Sequence, residues 1–393
     1  MIELTDLTDL TDLTSDQAIG NLVRCLHIRP WLVQAETNRY SYISRFWTFI
    51  NELGDPEFVE RRTEEQIKKR VQKHVRRVTN TVMRFTNLKE YQIDWDEQSV
   101  YHPEFFSAFL TPLLKGLGIN LVRLSLKVPT EKLRTLASAP LPRLEELELF
   151  LCTERLPMKD IDEALDVFRI FVHNLHVTLE SLSISSTNSS TNLDLSRFFK
   201  YLGKFGHLRR FALSIPFDGA HLSVPSHLRN FLDKHHDTLE HIRLSTSRCS
   251  VGMNPRDFRG DWIQKSLPSV PLKRLRSLEL ALRPLRAPLC PVIKYLRSVG
   301  MNLESLVLTD RSLTYEEVRC VLSAQQEGGG LGLTRLGINI RYMSPELVDM
   351  LAQMLPQLGR LELAFTEVTY KEKDGLASGL GRQGELVCDP KRH

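Results

Sequence analysis

Apolar residues recur along this chain in a short pattern, L-x-x-L-x-L, whose last positions alternate between apolar and polar. "TLESLSI" begins at Thr178 and "NLESLVL" at Asn302, and similar spacing occurs in eight further places. The ten copies begin at Leu88, Leu121, Leu144, Leu179, Leu208, Leu239, Leu275, Leu303, Leu333 and Leu358. Steps between copies run from 23 to 36 residues, so one structural unit is repeated along the chain. Val23-Leu26-Ile28 is a candidate for an earlier copy.

Each copy predicts a short strand, because the final L-x-L places two apolar side chains on one face of extended backbone. The chain must then return to start a parallel strand beside the last one, which requires a crossover, usually a helix. The interval before Leu179 has helical spacing at Ile161, Leu165, Phe168, Val172 and Leu175. The sequence therefore predicts an α/β solenoid, with a curved parallel sheet on its concave side and helices on its convex side.

Two later intervals also carry signals for the start of a helix. Ser344, Pro345 and Glu346 supply an N-cap, a first-turn proline and an acidic residue. Thr314 is placed to cap a helix that contains Val318 and Val321.

The pattern divides the chain into four segments. Residues 1–20 are predicted to be an acidic low-complexity tail, with a helix that folds on contact with a partner as the alternative. Residues 21–82 are predicted to form an N-terminal helical cap with a possible first repeat, since the open end of a solenoid needs a cover. Residues 83–366 are the solenoid, and residues 367–393 are a loosely structured C-terminal tail.

A basic helix is predicted inside the cap, at residues 64–82. Its polar side carries six cations: Lys68, Lys69, Arg70, Lys73, Arg76 and Arg77. A solvated helix face is the favoured interpretation, because Glu64 and Glu65 partly neutralise it. An anion-binding or nuclear-targeting patch is the alternative.

The chain resembles helix-bearing leucine-rich-repeat proteins over residues 83–366 and, more closely, fungal F-box proteins with degenerate leucine-rich repeats. The stretches that carry this resemblance are "NLVRCLHIRP", "FTNLKEYQIDW", "LPRLEELELF" and "LKRLRSLELAL". The resemblance implies a non-catalytic role in selecting proteins for ubiquitination. The F-box itself is not visible before Val23, so a cullin-ligase adaptor is an open expectation. A stand-alone scaffold or regulator, for example of a small GTPase or a nuclease, is the alternative.

The predicted concave side offers a partner the polar side chains that alternate with the buried leucines. Their charges alternate in sign and no aromatic series is interleaved with them, which favours a protein partner over a nucleic acid. Six charged residues are the predicted contact residues: Arg123, Glu146, Glu148, Arg210, Arg243 and Arg335. The chain is expected to be a monomer outside its complex.

Composition adds limits on compartment and partner. The net charge of +4 is small for 393 residues and does not favour nucleic acid or membrane binding. No stretch reaches the roughly 18 apolar residues of a membrane span. Six scattered cysteines without a C-x-x-C motif indicate free thiols in a reducing compartment, so the cytoplasm and/or the nucleus is expected.

Few residues suggest chemistry of their own. The glycine-rich run at residues 328–332 precedes a strand instead of linking a strand to a helix, so it predicts a flexible connector and not a phosphate loop. His235, His236 and His241, like the pair His173 and His176, are interpreted as surface histidines instead of zinc ligands. No catalytic motif occurs, and no enzyme activity, cofactor or metal is predicted.

Overall fold

The computed structural model describes a defined subset of the chain. The described residues are 2–4, 17–29, 69, 72–73, 75–76, 79–95, 104–153, 156–187, 189–190, 192–247, 262–283, 285–329, 332–368 and 384–388. They fall into two compact units, residues 1–179 (unit 1) and residues 180–393 (unit 2), and each unit is described by itself.

Unit 1 contains parallel strands that follow chain order. They are β1 (Ile2–Leu4), β2 (Cys25–Ile28), β3 (Glu90–Asp94), β4 (Arg123–Pro129) and β5 (Glu146–Cys152). The helices are α1 (Gln17–Leu22), α2 (Glu104–Leu114) and α3 (Met158–Asn174), with 3-10 turns at Leu117–Asn120 and Thr130–Ser138. Residues 69, 72–73, 75–76 and 79–82 are also helical.

Unit 2 repeats the same arrangement. Its parallel strands are β6 (Ser181–Ser186), β7 (Arg210–Ile215), β8 (His241–Thr246), β9 (Ser277–Ala281), β10 (Ser305–Leu313), β11 (Arg335–Met343) and β12 (Arg360–Val368). A last strand, β13 (Gly384–Cys388), pairs with β12 in the antiparallel sense. The helices are α4 (Ser196–Tyr201), α5 (Pro225–Lys234), α6 (Trp262–Ser266), α7 (Cys290–Val299), α8 (Tyr315–Glu327) and α9 (Pro345–Met354), with a 3-10 turn at Gly300–Asn302.

The leucines of successive copies pair directly with one another in both units. In unit 1, one row runs through Leu26, Tyr91, Leu124 and Leu147. In unit 2, the equivalent row runs through Leu182, Phe211, Ile242, Leu278, Leu306, Leu336 and Leu361. Nearly all of these side chains are buried, so the copied pattern sets the strand register and the core at once.

Helices cover the leucine side of each sheet. In unit 1, the buried Tyr91 hydroxyl of β3 donates a hydrogen bond to the Phe109 carbonyl of α2 (2.8 Å), and burial raises its pKa. In unit 2, Phe211 of β7 packs against Phe199 of α4 and Phe231 of α5, with ring centroids 6.0 and 5.4 Å apart. These contacts place the helices on the apolar face and leave the opposite face of each sheet polar.

The structure confirms the α/β repeat fold and the helix caps expected from the sequence. A strand lies at each of the ten copies and at the candidate copy after Val23. Ser344 accepts a hydrogen bond from the Leu347 amide, and Thr314 forms a capping box with Glu317. Between β4 and β5 the connection is a 3-10 turn, because this step is the shortest and leaves little room for an α-helix.

Several predicted features are only partly covered by the described residues. The two helical stripes of the cap lie largely outside them, although the described cations Lys69, Lys73 and Arg76 are exposed and lie on helical backbone. The strands β1 and β13 occur within the segments predicted as tails, and nothing in the leucine pattern predicted them.

The interpretation of His235 as a surface histidine is wrong. Its side chain is fully buried at the C-terminal end of α5, between the Phe205 and Phe231 rings. Nε2 accepts a hydrogen bond from the Phe205 amide (2.9 Å), so Nδ1 carries the proton and donates it to the Phe231 carbonyl (2.7 Å). Burial lowers the pKa of His235 to about 4, which fits this neutral tautomer.

Replacing Phe211 with alanine is expected to lower the free energy of unfolding by about 3–5 kcal/mol, since a buried ring between two other rings leaves a cavity. Urea unfolding followed by circular dichroism measures this loss. Ser214→Ala, on the polar side of the same strand, is the control and is expected to change stability by less than about 0.5 kcal/mol. Equal losses in the two variants would contradict the assignment of faces.

Acidification is expected to destabilise the protein through His235. Its pKa is lower in the folded state than the ordinary 6.5, so the unfolded state binds more protons as the pH falls from 6.5 towards 4. Stability is therefore lost in that window, by about 2 kcal/mol between pH 7.5 and pH 5. His235→Gln cannot titrate, so its urea midpoint should fall less over the same range. An equal fall of the urea midpoint in both proteins would show that the titration of His235 does not contribute to the loss of stability.

Candidate partner-binding faces

The polar face of unit 1 consists of the strand side chains that point away from the leucines. We call these residues open face 1: Glu90, Gln92, Asp94, Arg123, Ser125, Lys127, Glu146, Glu148 and Phe150. They lie in rows across β3, β4 and β5, because equivalent residues of successive copies are register partners. Open face 1 holds the first three predicted contact residues.

Open face 1 is joined across its strands by ion pairs. Arg123 of β4 contacts Glu146 of β5 (2.6 Å) and Glu90 of β3 (3.4 Å). The hydrogen bond to Glu146 raises the pKa of Arg123. Two rows further along, Lys127 lies 3.6 Å from Asp94 and 5.0 Å from the centre of the Phe150 ring.

The carboxylates of open face 1 outnumber its cations by four to two. Glu148 accepts a hydrogen bond from the Ser125 hydroxyl (3.1 Å) and has an exposed side chain. Glu148 lies in the row between those of the two cations, so it is the acidic group of this face that stays most accessible. The face is therefore suited to basic or hydrogen-bond-donating groups of a partner.

The polar face of unit 2 follows the same rule over a longer run of strands. We call these residues open face 2: Ser181, Ser183, Ser185, Arg210, Ala212, Ser214, His241, Arg243, Ser245, Ser277, Glu279, Ala281, Ser305, Val307, Thr309, Arg335, Gly337, Asn339, Arg360, Glu362 and Ala364. Most of them are small or hydroxylic, and four are arginines against two glutamates. Open face 2 holds the other three predicted contact residues.

Two ion-paired clusters lie on open face 2. Arg243 of β8 contacts Glu279 of β9 (3.0 Å), its direct register partner. At β11 and β12, both Arg335 (3.0 Å) and Arg360 (2.6 Å) contact the single carboxylate of Glu362. Two guanidinium groups thus share one carboxylate, which leaves a local excess of positive charge.

Some positions of open face 2 are buried instead of exposed. Ser245, Ala281 and Gly337 are buried, although the alternating pattern predicts exposure. A Cβ atom at Gly337 would lie 3.1 Å from the Val307 side chain, so this valine covers the glycine on the neighbouring strand. The surface here is shallow and apolar beside the two arginines.

His241 lies on open face 2, at the start of β8. Burial lowers its pKa, and the Arg210 and Arg276 charges act in the same direction against Glu240. His241 is therefore neutral at neutral pH, so the charge of open face 2 comes from its arginines. His235 lies in the core and His236 bonds the Asp233 carbonyl, so these three histidines do not converge.

His221 and Asp218 form an acid–base pair in unit 2 that no sequence pattern predicted. Nδ1 of His221 lies 2.6 Å from Asp218, whose other oxygen accepts the amides of Ala220 and His221. Burial raises the pKa of Asp218, but the His221 hydrogen bond and charge outweigh this effect and the net shift is downward. Nε2 of His221 is buried and has no partner within the described residues, so no nucleophile completes a triad.

The described residues also bear on the other predicted absences. Among them, no group of three or more histidine, cysteine, aspartate or glutamate side chains is placed to hold a metal ion. No helix in this part of the chain is long and apolar enough to cross a membrane. Cys25, Cys152, Cys290 and Cys320 form no disulfide within the described residues, and burial together with Glu90 raises the pKa of Cys25.

Comparisons with known proteins do not assign this chain to a family. No family model matches the sequence, and no curated protein matches it. Among solved structures, the chain is similar to a chain in the crystal structure of the Rad7 and Elc1 complex in yeast. That similarity has a TM-score of 0.39 and 16% identity, covering 88% of this chain and 97% of the other.

Proposed function

We propose that this chain is a non-catalytic protein-binding repeat protein that holds its partner on the open faces. The observation that carries this proposal is the cluster of Arg335, Arg360 and Glu362. Two cations share one carboxylate there, and both arginine side chains stay partly exposed. An incoming carboxylate can therefore pair with the guanidinium charge that Glu362 leaves unmatched.

The partner proposed for open face 2 is a protein segment that carries carboxylates beside small side chains. Such a segment complements the excess of arginine on this face. Phe150 is the one aromatic residue among the open-face positions, and Lys127 lies beside its ring. Stacked bases need a series of aromatic side chains, so a protein fits these faces better than a single-stranded nucleic acid.

The finer role that we propose is substrate recognition for a ubiquitin ligase, as in the F-box proteins that the sequence resembles. In that role the open faces select the protein to be modified, and a cullin-ligase adaptor binds elsewhere on the chain. The alternative is a stand-alone scaffold or regulator that uses the same faces. The two roles differ in whether the adaptor is part of the native complex.

Affinity purification from native cells, with mass spectrometry of the bound proteins, separates these roles. If the chain recognises ubiquitination substrates, a cullin-ligase adaptor is expected in the purified complex, together with less abundant proteins. A stoichiometric partner without the adaptor would overturn the ubiquitin role and leave the scaffold. The same purification after Glu146→Lys with Glu148→Lys shows which bound proteins depend on open face 1.

A charge swap on open face 2 tests the binding face without removing an ion pair. Arg243→Glu with Glu279→Arg exchanges the two ends of a directly paired contact, so stability should stay within about 0.5 kcal/mol. Capture of the identified partner is expected to fall about tenfold, since the pattern of charge that it meets is inverted. Quantitative binding of the purified partner measures the change.

Lys294→Glu is the matched control for this swap. Lys294 is an exposed lysine on α7, which covers the opposite side of the sheet. It changes the net charge without touching open face 2, so capture should stay the same. Equal capture by the swapped protein and the native protein would contradict the assignment of open face 2, and Arg360→Gln then checks the cluster around Glu362 separately.

A further inference from the structure

A second surface of unit 2 lies apart from its open face, at the edge where the strands begin. A groove of about 650 Å³ runs along the starts of β9, β10 and β11. Its lining includes Arg276, Glu304 and Thr334, the residues that immediately precede these three strands. This volume lies within the range of sites that bind ligands or anchor side chains.

The groove is open because glycine occupies one of its walls. Gly332 lies in the turn before β11, and a Cβ atom added there would meet no heavy atom within 4 Å. In the turn before β10, by contrast, Met301 projects an apolar side chain that is 75% exposed and lines the groove. One side of the groove therefore has free space at Gly332, and the exposed thioether of Met301 lines the other side.

The charge of the groove is positive. Arg276 lies 3.7 Å from Glu304, so these two groups largely offset each other. Lys273 and Arg274 are exposed, and their side chains make no ion pair or hydrogen bond within the described residues. The other carboxylate of the groove is that of Glu240, which is half-buried. Three cations against two carboxylates leave an uncompensated positive charge around an apolar group.

The backbone of the groove is already satisfied. The Arg276 carbonyl accepts the amides of Glu304 and Ser305, and the Glu304 carbonyl accepts those of Thr334 and Arg335. The Asn302 side chain is likewise occupied by the Lys273 carbonyl (2.7 Å). A peptide therefore cannot pair with the backbone here as a further strand, so its recognition must come from side chains.

We propose that this groove is a second binding site, for an acidic segment of a partner protein that carries an apolar residue next to its carboxylates. Lys273 and Arg274 bind the carboxylates, and the apolar residue packs against Met301 in the space that Gly332 leaves open. The site does not depend on the open faces, so it adds a separate point of attachment.

A peptide-binding measurement with the full chain tests this site. The probe is a fluorescein-labelled synthetic peptide of alternating glutamate and leucine, followed by fluorescence anisotropy. Binding is expected to weaken as salt is added, because the contacts are exposed charges. Lys273→Glu with Arg274→Glu is expected to weaken binding about tenfold, and the same peptide with glutamine in place of glutamate should bind about as weakly.

A steric block provides an independent variant. Gly332→Trp should fill the groove and weaken peptide binding about tenfold, and its Cβ atom meets no heavy atom within 4 Å. Gly206→Trp is the matched control: Gly206 lies in the turn before β7, also has open space around a Cβ, and does not line the groove. It should bind like the native protein.

Two outcomes would overturn the proposal. Equal binding by Gly332→Trp, Gly206→Trp and the native protein, with all three folded by circular dichroism, would show that the groove is not the site. Equal competition by tripolyphosphate or by double-stranded DNA would show a general anion surface instead of a site for acidic protein segments. Loss of binding in the groove variants with retained capture on the open faces would separate this proposal from the proposed function.

Discussion

Each new strand depends on one backbone carbonyl that accepts two consecutive amides of the next repeat. In unit 2 the carbonyl of Glu180 accepts the amides of Arg209 and Arg210, and the carbonyl of Arg209 accepts those of Glu240 and His241. The same arrangement recurs at each later strand start as far as β12. Because it fixes where pairing begins, it also fixes which side chains face the core, and a slip of one residue would turn every leucine outward.

Because of this constraint, the residues of every repeat fall into three groups with different surroundings. The apolar positions enter the core, the alternating positions form the open face, and the residue before the strand lies on the edge. The edge residues of unit 2 are Glu180, Arg209, Glu240, Arg276, Glu304 and Thr334, so acidic and basic side chains alternate along the edge until Thr334. Charge is therefore balanced along most of this edge, and the surplus at the groove comes from the turn residues Lys273 and Arg274.

The sequence was sufficient for the features that one repeat or one helix turn determines. The leucine spacing predicted the strands from β2 to β12, and Thr314 and Ser344 predicted their caps, because both signals are local. The burial of His235 was not predictable in this way. Phe231 lies one turn earlier on α5, but Phe205 belongs to the turn before β7, and only the stacking of neighbouring repeats brings it against His235.

For the candidate sites too, the sequence predicted which residues are exposed but not how their side chains meet. Alternation identified Arg243 and Arg335 as surface residues, but it could not show that Arg335 and Arg360 share Glu362, because that depends on the distances between the side chains. Nor could it identify the groove, which depends on a missing side chain at Gly332 as much as on charges. The strand β13 lacks the leucine pattern altogether, since it pairs in the antiparallel sense.

The energetics explain why the open-face residues are informative about a partner. Removing a buried ring such as Phe211 costs several kcal/mol, whereas an exposed ion pair such as Arg243–Glu279 contributes about 1 kcal/mol or less. The fold therefore constrains the leucine positions strongly and the open-face positions weakly. Four arginines against two glutamates on open face 2 are not needed to hold the strands together. The partner-binding role that we propose for open face 2 uses this surplus charge.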